Sequence, residues 1–190
     1  EGITEKKYLE LVAIGKKQQE RKIKLYPIKL YVSMRNGREY VLGHVSGAAG
    51  LDFIRVDRIK KVKTGIRCDE YQKFENEYQA NKSYLWGVSS GSAKDITHIE
   101  MTVRAAEGEE FIVRRLEREK RNGHVYKITD QQYKYVVDTY DAMELMPWIR
   151  TFMGRIEKLE SSNPQLKKKF DQDMEQLYSM YFGEAQNDIS

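Results

Sequence analysis

The chain has 190 residues, 40% hydrophobic and 33% charged, a balance ordinary for a globular protein with one large or two small cores. Its longest apolar runs are a few residues, far short of the roughly 20 that span a bilayer, and no apolar stretch follows a basic start, so a cytoplasmic location is expected. A single cysteine, Cys68, excludes a disulfide framework and a thiolate metal site, and the formal charge of +4 divides into +9 over residues 1–67 and −5 over residues 68–190.

The opening EGITEKK has no initiator Met, which predicts a fragment of something longer on its N-terminal side. KYLELVAI (7–14), ERKIKLYPIKLYV (20–32), REYVLGHV (38–45) and LDFIRVDRI (51–59) alternate polar with β-branched, Leu or aromatic residues, the period-two signature of strands. Turn chemistry separates them: GKKQ at 15–18, Arg35-Asn36-Gly37, and SGAAG at 46–50. Pro27 cannot donate to a ladder, so it divides two strands or marks a bend. Short strands with tight turns predict a small, strongly bent sheet or barrel over residues 1–67.

Residues 68–95 read as a linker, with DEYQKFENEY as a helix or loop and YLWGVSSGSAK as a Gly- and Ser-punctuated connector. From residue 96 to 190 the texture is α+β. ITHIEMTVRA alternates, GEEFIVRRLEREKR is helical and ends at Asn122-Gly123, and HVYKITD and YKYVVDTY form a hairpin pair. DAMELMPWIRTFMG, read as one helix, puts Leu145, Trp148, Ile149 and Phe152 on one face as core. RIEKLE is a last strand. The final helix has Asn163 as N-cap, Pro164 at its first position, and Leu166, Phe170, Leu177 and Tyr181 along one side. The order β-α-β-β-α-β predicts a ferredoxin-like layer with an added terminal helix.

No phosphate loop, nucleophile elbow or zinc-protease helix occurs, and His44, His98 and His124 stand apart from metal-ligand partners. No enzyme, cofactor or metal is expected. The basic half instead carries a binding constellation in FIRVDRIKKVKTGIR (53–67), read as a strand loaded with charge. On a strand, Arg55 and Asp57 share one face and Val56 and Arg58 the other. Asp57 then holds the Arg55 guanidinium as a planar fork suited to phosphate or carboxylate. Tyr40, Leu42 and His44 share a face of the neighbouring strand. An aromatic ring beside a held Arg on a basic sheet is a minimum kit for stacking a base and gripping its phosphate.

REYVLGHV followed by IRVDRI resembles the WYL domain. Tyr40 matches the family Tyr, Val41 replaces its Leu, Glu39 stands where Trp is usual, and Arg55, Asp57, Arg58 and Ile59 fit its Arg-x-Asp-Arg-Ile run. KIKLYPIKL is similar to the strand, Pro, strand segment before the motif, and RRLEREKRNG and PWIRTFMGRI to the C-terminal extension called WCX. The resemblance implies a small Sm-like or SH3-like β-barrel over 1–67 and a WCX-like domain over 96–190. It also implies a place in bacterial transcription regulators, after a winged helix-turn-helix, or in accessory proteins of CRISPR and phage-defence systems. Operator DNA would then be read by an N-terminal domain outside this chain.

Two functions follow as expectations. One is a ligand-sensing module of a regulator, binding single-stranded nucleic acid or a nucleotide through Tyr40, Leu42, His44, Arg55, Asp57 and Arg58. The other is a structural dimerisation unit without a ligand. A homodimer is expected because regulators that read palindromic sites are two-fold, and some of Leu166, Phe170, Met174, Leu177, Met180 and Tyr181 should contact either the preceding layer or a second chain.

Overall fold

The computed structural model describes residues 1–15, 17–33 and 35–183. It divides the chain into two compact units, Glu1–Ile96 and Thr97–Ser190, each built on its own antiparallel sheet, so the protein is α+β.

In the first unit, strands β1 (Lys7–Ile14), β2 (Glu20–Val32), β3 (Glu39–Val45), β4 (Leu51–Arg55) and β5 (Ile59–Arg67) form a sheet in the order β4-β3-β2-β1-β5. The first four follow one another as a meander. A 3-10 turn, Val56–Arg58, then redirects the chain so that β5 pairs with β1. Alternation puts Leu11, Leu25 and Val41 into a core, packed against Leu9, Ile23, Val45, Ile54, Val56 and Ile59. Lys16, inside the predicted first turn, lies outside the described residues.

Two expectations are corrected here. The sheet is not a closed barrel: β4 and β5 are its two edges, and no ladder joins them among the described residues. β4 is only five residues long, and the 3-10 turn carries the chain away before an edge-to-edge ladder forms. Residues 53–67 are likewise not one strand. Arg55 ends β4, Asp57 and Arg58 lie in the turn, and Val56 packs into the core from that turn.

Pro27 leaves β2 unbroken and marks a bend, opposite Gly43, where the register between β2 and β3 shifts. Glycine is needed there because a Cβ at Gly43 would lie 2.3 Å from the Tyr26 carbonyl oxygen. Residues 71–81 form helix α1 (Tyr71–Asn81), which buries Tyr71, Phe74 and Tyr78 at i, i+3 and i+7. Phe74 lies 4.9 Å from the Tyr26 ring, and Tyr71 donates to the Pro27 carbonyl at 2.7 Å, fixing the helix on the sheet. The connector after it buries Leu85 and Trp86.

The second unit runs β6 (Thr97–Arg104), α2 (Glu110–Glu119), β7 (His124–Lys127), β8 (Gln132–Thr139), α3 (Met146–Arg150), β9 (Ile156–Ser161) and α4 (Pro164–Phe182). Its sheet order is β7-β8-β6-β9, antiparallel throughout, with β8 inserted between β6 and β7. Ile99, Met101, Val103, Tyr135, Val137 and Leu159 form the buried face, and Ile112, Leu116, Leu166 and Phe170 are the buried residues of α2 and α4. The stripe Leu145, Trp148, Ile149 and Phe152 is buried as expected.

Its segment is not one helix, however. A 3-10 turn (Ala142–Leu145) capped by Asp141, the five-residue α3 with Pro147 in its first turn, and a further 3-10 turn (Met153–Arg155) share it. Asn163 caps α4 by accepting from the Gln165 N–H at 2.9 Å, as its sequence predicts. Of the residues along the predicted apolar side of α4, Leu166 and Phe170 are buried and Tyr181 is 78% exposed.

Candidate anion-binding site

A cavity of about 1020 Å³ runs along the free edge of β4 in the first unit. Asp52, Phe53, Ile54 and Arg55 all line it, and four consecutive strand residues face one space only along an edge. The turn between β1 and β2 supplies Lys17, and the start of β2 supplies Arg21 and Lys22. Arg58 comes from the 3-10 turn, Tyr40 from β3, and Val88, Ser89 and Ser90 from the connector. The lining therefore holds five cations against one carboxylate, Asp52, which accepts from the Phe53 N–H at 2.7 Å.

Arg55 is the most constrained of these cations. Its Nε donates to Asp57 Oδ1 at 3.0 Å and its Nη2 to Asp57 Oδ2 at 2.5 Å, a bidentate fork. The pairing arises because the chain leaves the strand at Arg55, so the turn brings Asp57 under the guanidinium. These hydrogen bonds raise the Arg55 pKa and hold the Asp57 carboxyl below the usual carboxylate range, with Arg38 and Arg58 adding more distant positive charge. Two of the five guanidinium N–H donors are used there.

Tyr40 sits directly across from Arg55 in the β3–β4 ladder, so the two side chains share a face. Its ring packs edge-on against Phe53 at 6.3 Å, and Phe53 in turn against Tyr31 at 5.3 Å. An aromatic row thus flanks the held arginine. Glu39, where the WYL pattern has Trp, is exposed at the first position of β3.

Of the residues named from sequence, Tyr40, Arg55 and Arg58 line the cavity, and Asp57 positions Arg55. Leu42 is fully buried in the sheet. His44 lies under α1, stacked on Phe74 at 4.2 Å and 10°, away from the cavity lining. Its Nδ1 is buried without a hydrogen-bond partner among the described residues, the Glu77 carboxylate standing off at 3.8 Å. Lys17, Arg21, Lys22, Phe53, Ser89 and Ser90 were not named from the sequence. The stripe Tyr71, Phe74 and Tyr78 was readable there, and it signals a helix that must cover part of the sheet.

No family description matches the sequence, and no curated protein matches it. Among solved structures, the chain is similar to one titled "Crystal structure of a CRISPR Cas-related protein", with a TM-score of 0.57 and 12% identity. That likeness covers 97% of this chain and 50% of the other, so this chain spans about half of its length. A second structure, proteasome accessory factor B/C (PafBC) of Arthrobacter aurescens, aligns at a TM-score of 0.36 and 14% identity over 89% of this chain and 24% of that one. At 12% identity the first likeness is one of fold alone. The second is too distant to support more. No helix among the described residues is long and apolar enough to cross a membrane.

Proposed function

We propose that the first unit is the ligand-sensing part of a WYL-type regulatory protein, and that it binds single-stranded nucleic acid or a nucleotide-like anion in the β4-edge cavity. The observation that carries this reading is the Arg55 fork, fixed by Asp57 at a cavity lined by four further cations and by Tyr40 and Phe53. A held guanidinium takes a phosphate in two parallel hydrogen bonds, and the neighbouring ring offers a face to a base. The function proposed is binding rather than catalysis.

The fold supports the same reading. The first sheet's order, with a 3-10 turn before its last strand, is read as an opened SH3-like or Sm-like meander. In the second unit, β8 between β6 and β7 is read as the split βαβ arrangement of a ferredoxin-like layer, followed by α4 as in a WCX-like extension. The fold-level likeness to a CRISPR Cas-related protein agrees with a family found in such systems.

The test is a titration of the protein with short single-stranded DNA, RNA and linear or cyclic nucleotides at two salt concentrations. Binding to one of these, weakening steeply as salt rises, is expected. Equal and negligible binding of all would refute the reading.

A second reading, a dimerisation module, is favoured by the outer half of α4. Tyr178, Met180, Tyr181 and Phe182 are there 61–78% exposed, more apolar surface than a solvated helix end needs. Sedimentation at increasing concentration separates the readings: a dimer that ignores every oligonucleotide and nucleotide supports the second.

A further inference from the structure

A second basic surface lies on the same sheet, at the junction of β2, β1 and β5. Register places Lys24 and Lys63 on either side of Glu10, and Lys22 and Lys61 on either side of Val12. Residues directly opposite in antiparallel ladders share a face, so the four lysines stand in two backbone rows around a central strand. The rows are two residues, about 7 Å, apart. Together they line a shallow trough of about 830 Å³.

One carboxylate lies in the middle of the trough. Glu10 stands 4.0 Å from Lys63, whose side chain is 82% exposed. The Lys24 ammonium lies 4.0 Å over the Tyr8 ring. Lysines on an exposed edge strand blunt edge-to-edge pairing, and this accounts for Lys61 and Lys63 on β5. It does not account for Lys22 and Lys24, because β2 is an interior strand.

We infer that this trough is a track for the phosphodiester backbone of a single-stranded nucleic acid, separate from the β4-edge cavity and independent of what fills it. Long, flexible lysine side chains on a regular backbone spacing suit a repeated point charge rather than a fixed fork, so contact here is independent of base sequence. The trough spans only three strands, about 10 Å, which is narrower than a duplex and matches one backbone. Lys22 also lines the cavity, so a strand lying in the trough passes its margin.

The test is a titration with a long fluorescent oligothymidylate over a salt series. It compares the wild type with the Lys24→Gln, Lys61→Gln, Lys63→Gln triple variant, none of whose sites lines the cavity, and with Glu10→Gln. Each single-strand phosphate contact contributes about −0.7 to the slope of log affinity against log salt, so the triple variant should flatten it by about 2. Its affinity at low salt should fall at least tenfold, on the order expected from three lost contacts. Glu10→Gln should bind several-fold tighter. Thermal unfolding of each variant checks the fold, and binding of a mononucleotide, which reports the cavity, should not change. An unchanged slope in the folded triple variant would overturn the inference. So would a wild type that ignores oligothymidylate but binds polyglutamate through these lysines, an outcome assigning the trough to an acidic protein.

Discussion

Replacing His44 by alanine separates two uses of the outer face of β3. The imidazole is stacked on Phe74 at 4.2 Å, its side chain is 16% exposed, and Tyr26 lies beside both rings, 6.2 Å from His44 and 4.9 Å from Phe74. Truncation opens a gap between the sheet and α1. The lost aromatic pair alone is worth about 0.5–1.5 kcal/mol, and with the packing around it the expected destabilisation is about 1–2 kcal/mol. For a unit of this size that lowers Tm by roughly 5–15 °C. His44→Phe keeps the stack and removes the orphaned Nδ1, so it should recover most of the loss. Circular dichroism on heating measures the first effect, and a nucleotide and oligonucleotide titration at a temperature where all variants are folded measures the second. Binding should be unchanged in both variants. A His44→Ala protein with unaltered Tm and abolished binding would place the imidazole in the site and refute the reasoning.

Three further outcomes are expected. Tyr71→Phe removes the 2.7 Å donation to the Pro27 carbonyl, and chemical denaturation should show a loss of about 0.5–1.5 kcal/mol. Asn163→Ala removes the cap that accepts from the Gln165 N–H and should cost about 1 kcal/mol by the same assay. Hydrogen bonds that the protonated ring donates to Asp138, then to Glu100, raise the His98 pKa. Its stabilising contribution is therefore complete below the unfolded-state value and is lost as pH rises through the higher folded value. The side chain is 49% exposed, so the effect is small, visible as an upward-shifted NMR titration of His98 and a pH dependence of Tm that His98→Gln abolishes.

The strands of the first unit were legible because each shows one apolar face. KYLELVAI is β1 to the residue, and Arg38-Glu39 opens β3 within one position of the predicted start. The break at Val56 was not legible, since Val56 and Ile59 are β-branched and apolar in a turn as in a strand, and the turn is set by where the edge of the sheet ends. The Arg55–Asp57 pairing was readable from i, i+2 spacing and survives the break, because the 3-10 turn brings Asp57 beneath Arg55 by another path. His44 was placed on the correct face, yet α1 covers that end of the sheet, a consequence of contacts more than 25 residues distant in sequence. Lys17, Arg21 and Ser89 enter the cavity from segments that no local pattern connects to β4.

The affinity of the best-binding nucleotide or oligonucleotide for wild type, Arg55→Ala, Arg55→Lys, Asp57→Ala and the double alanine variant tests the central claim most directly. A loss of about 10- to 100-fold is expected for Arg55→Ala, in the range of a charge-assisted hydrogen bond, with Tm nearly unchanged because a partly exposed ion pair adds little stability. Arg55→Lys should recover only part of it, since a point charge does not reproduce the fork. Asp57→Ala should weaken binding too, and the double variant should lose no more than Arg55→Ala alone. An Arg55→Ala protein that unfolds, or one that stays folded and binds as tightly as wild type, would contradict the account.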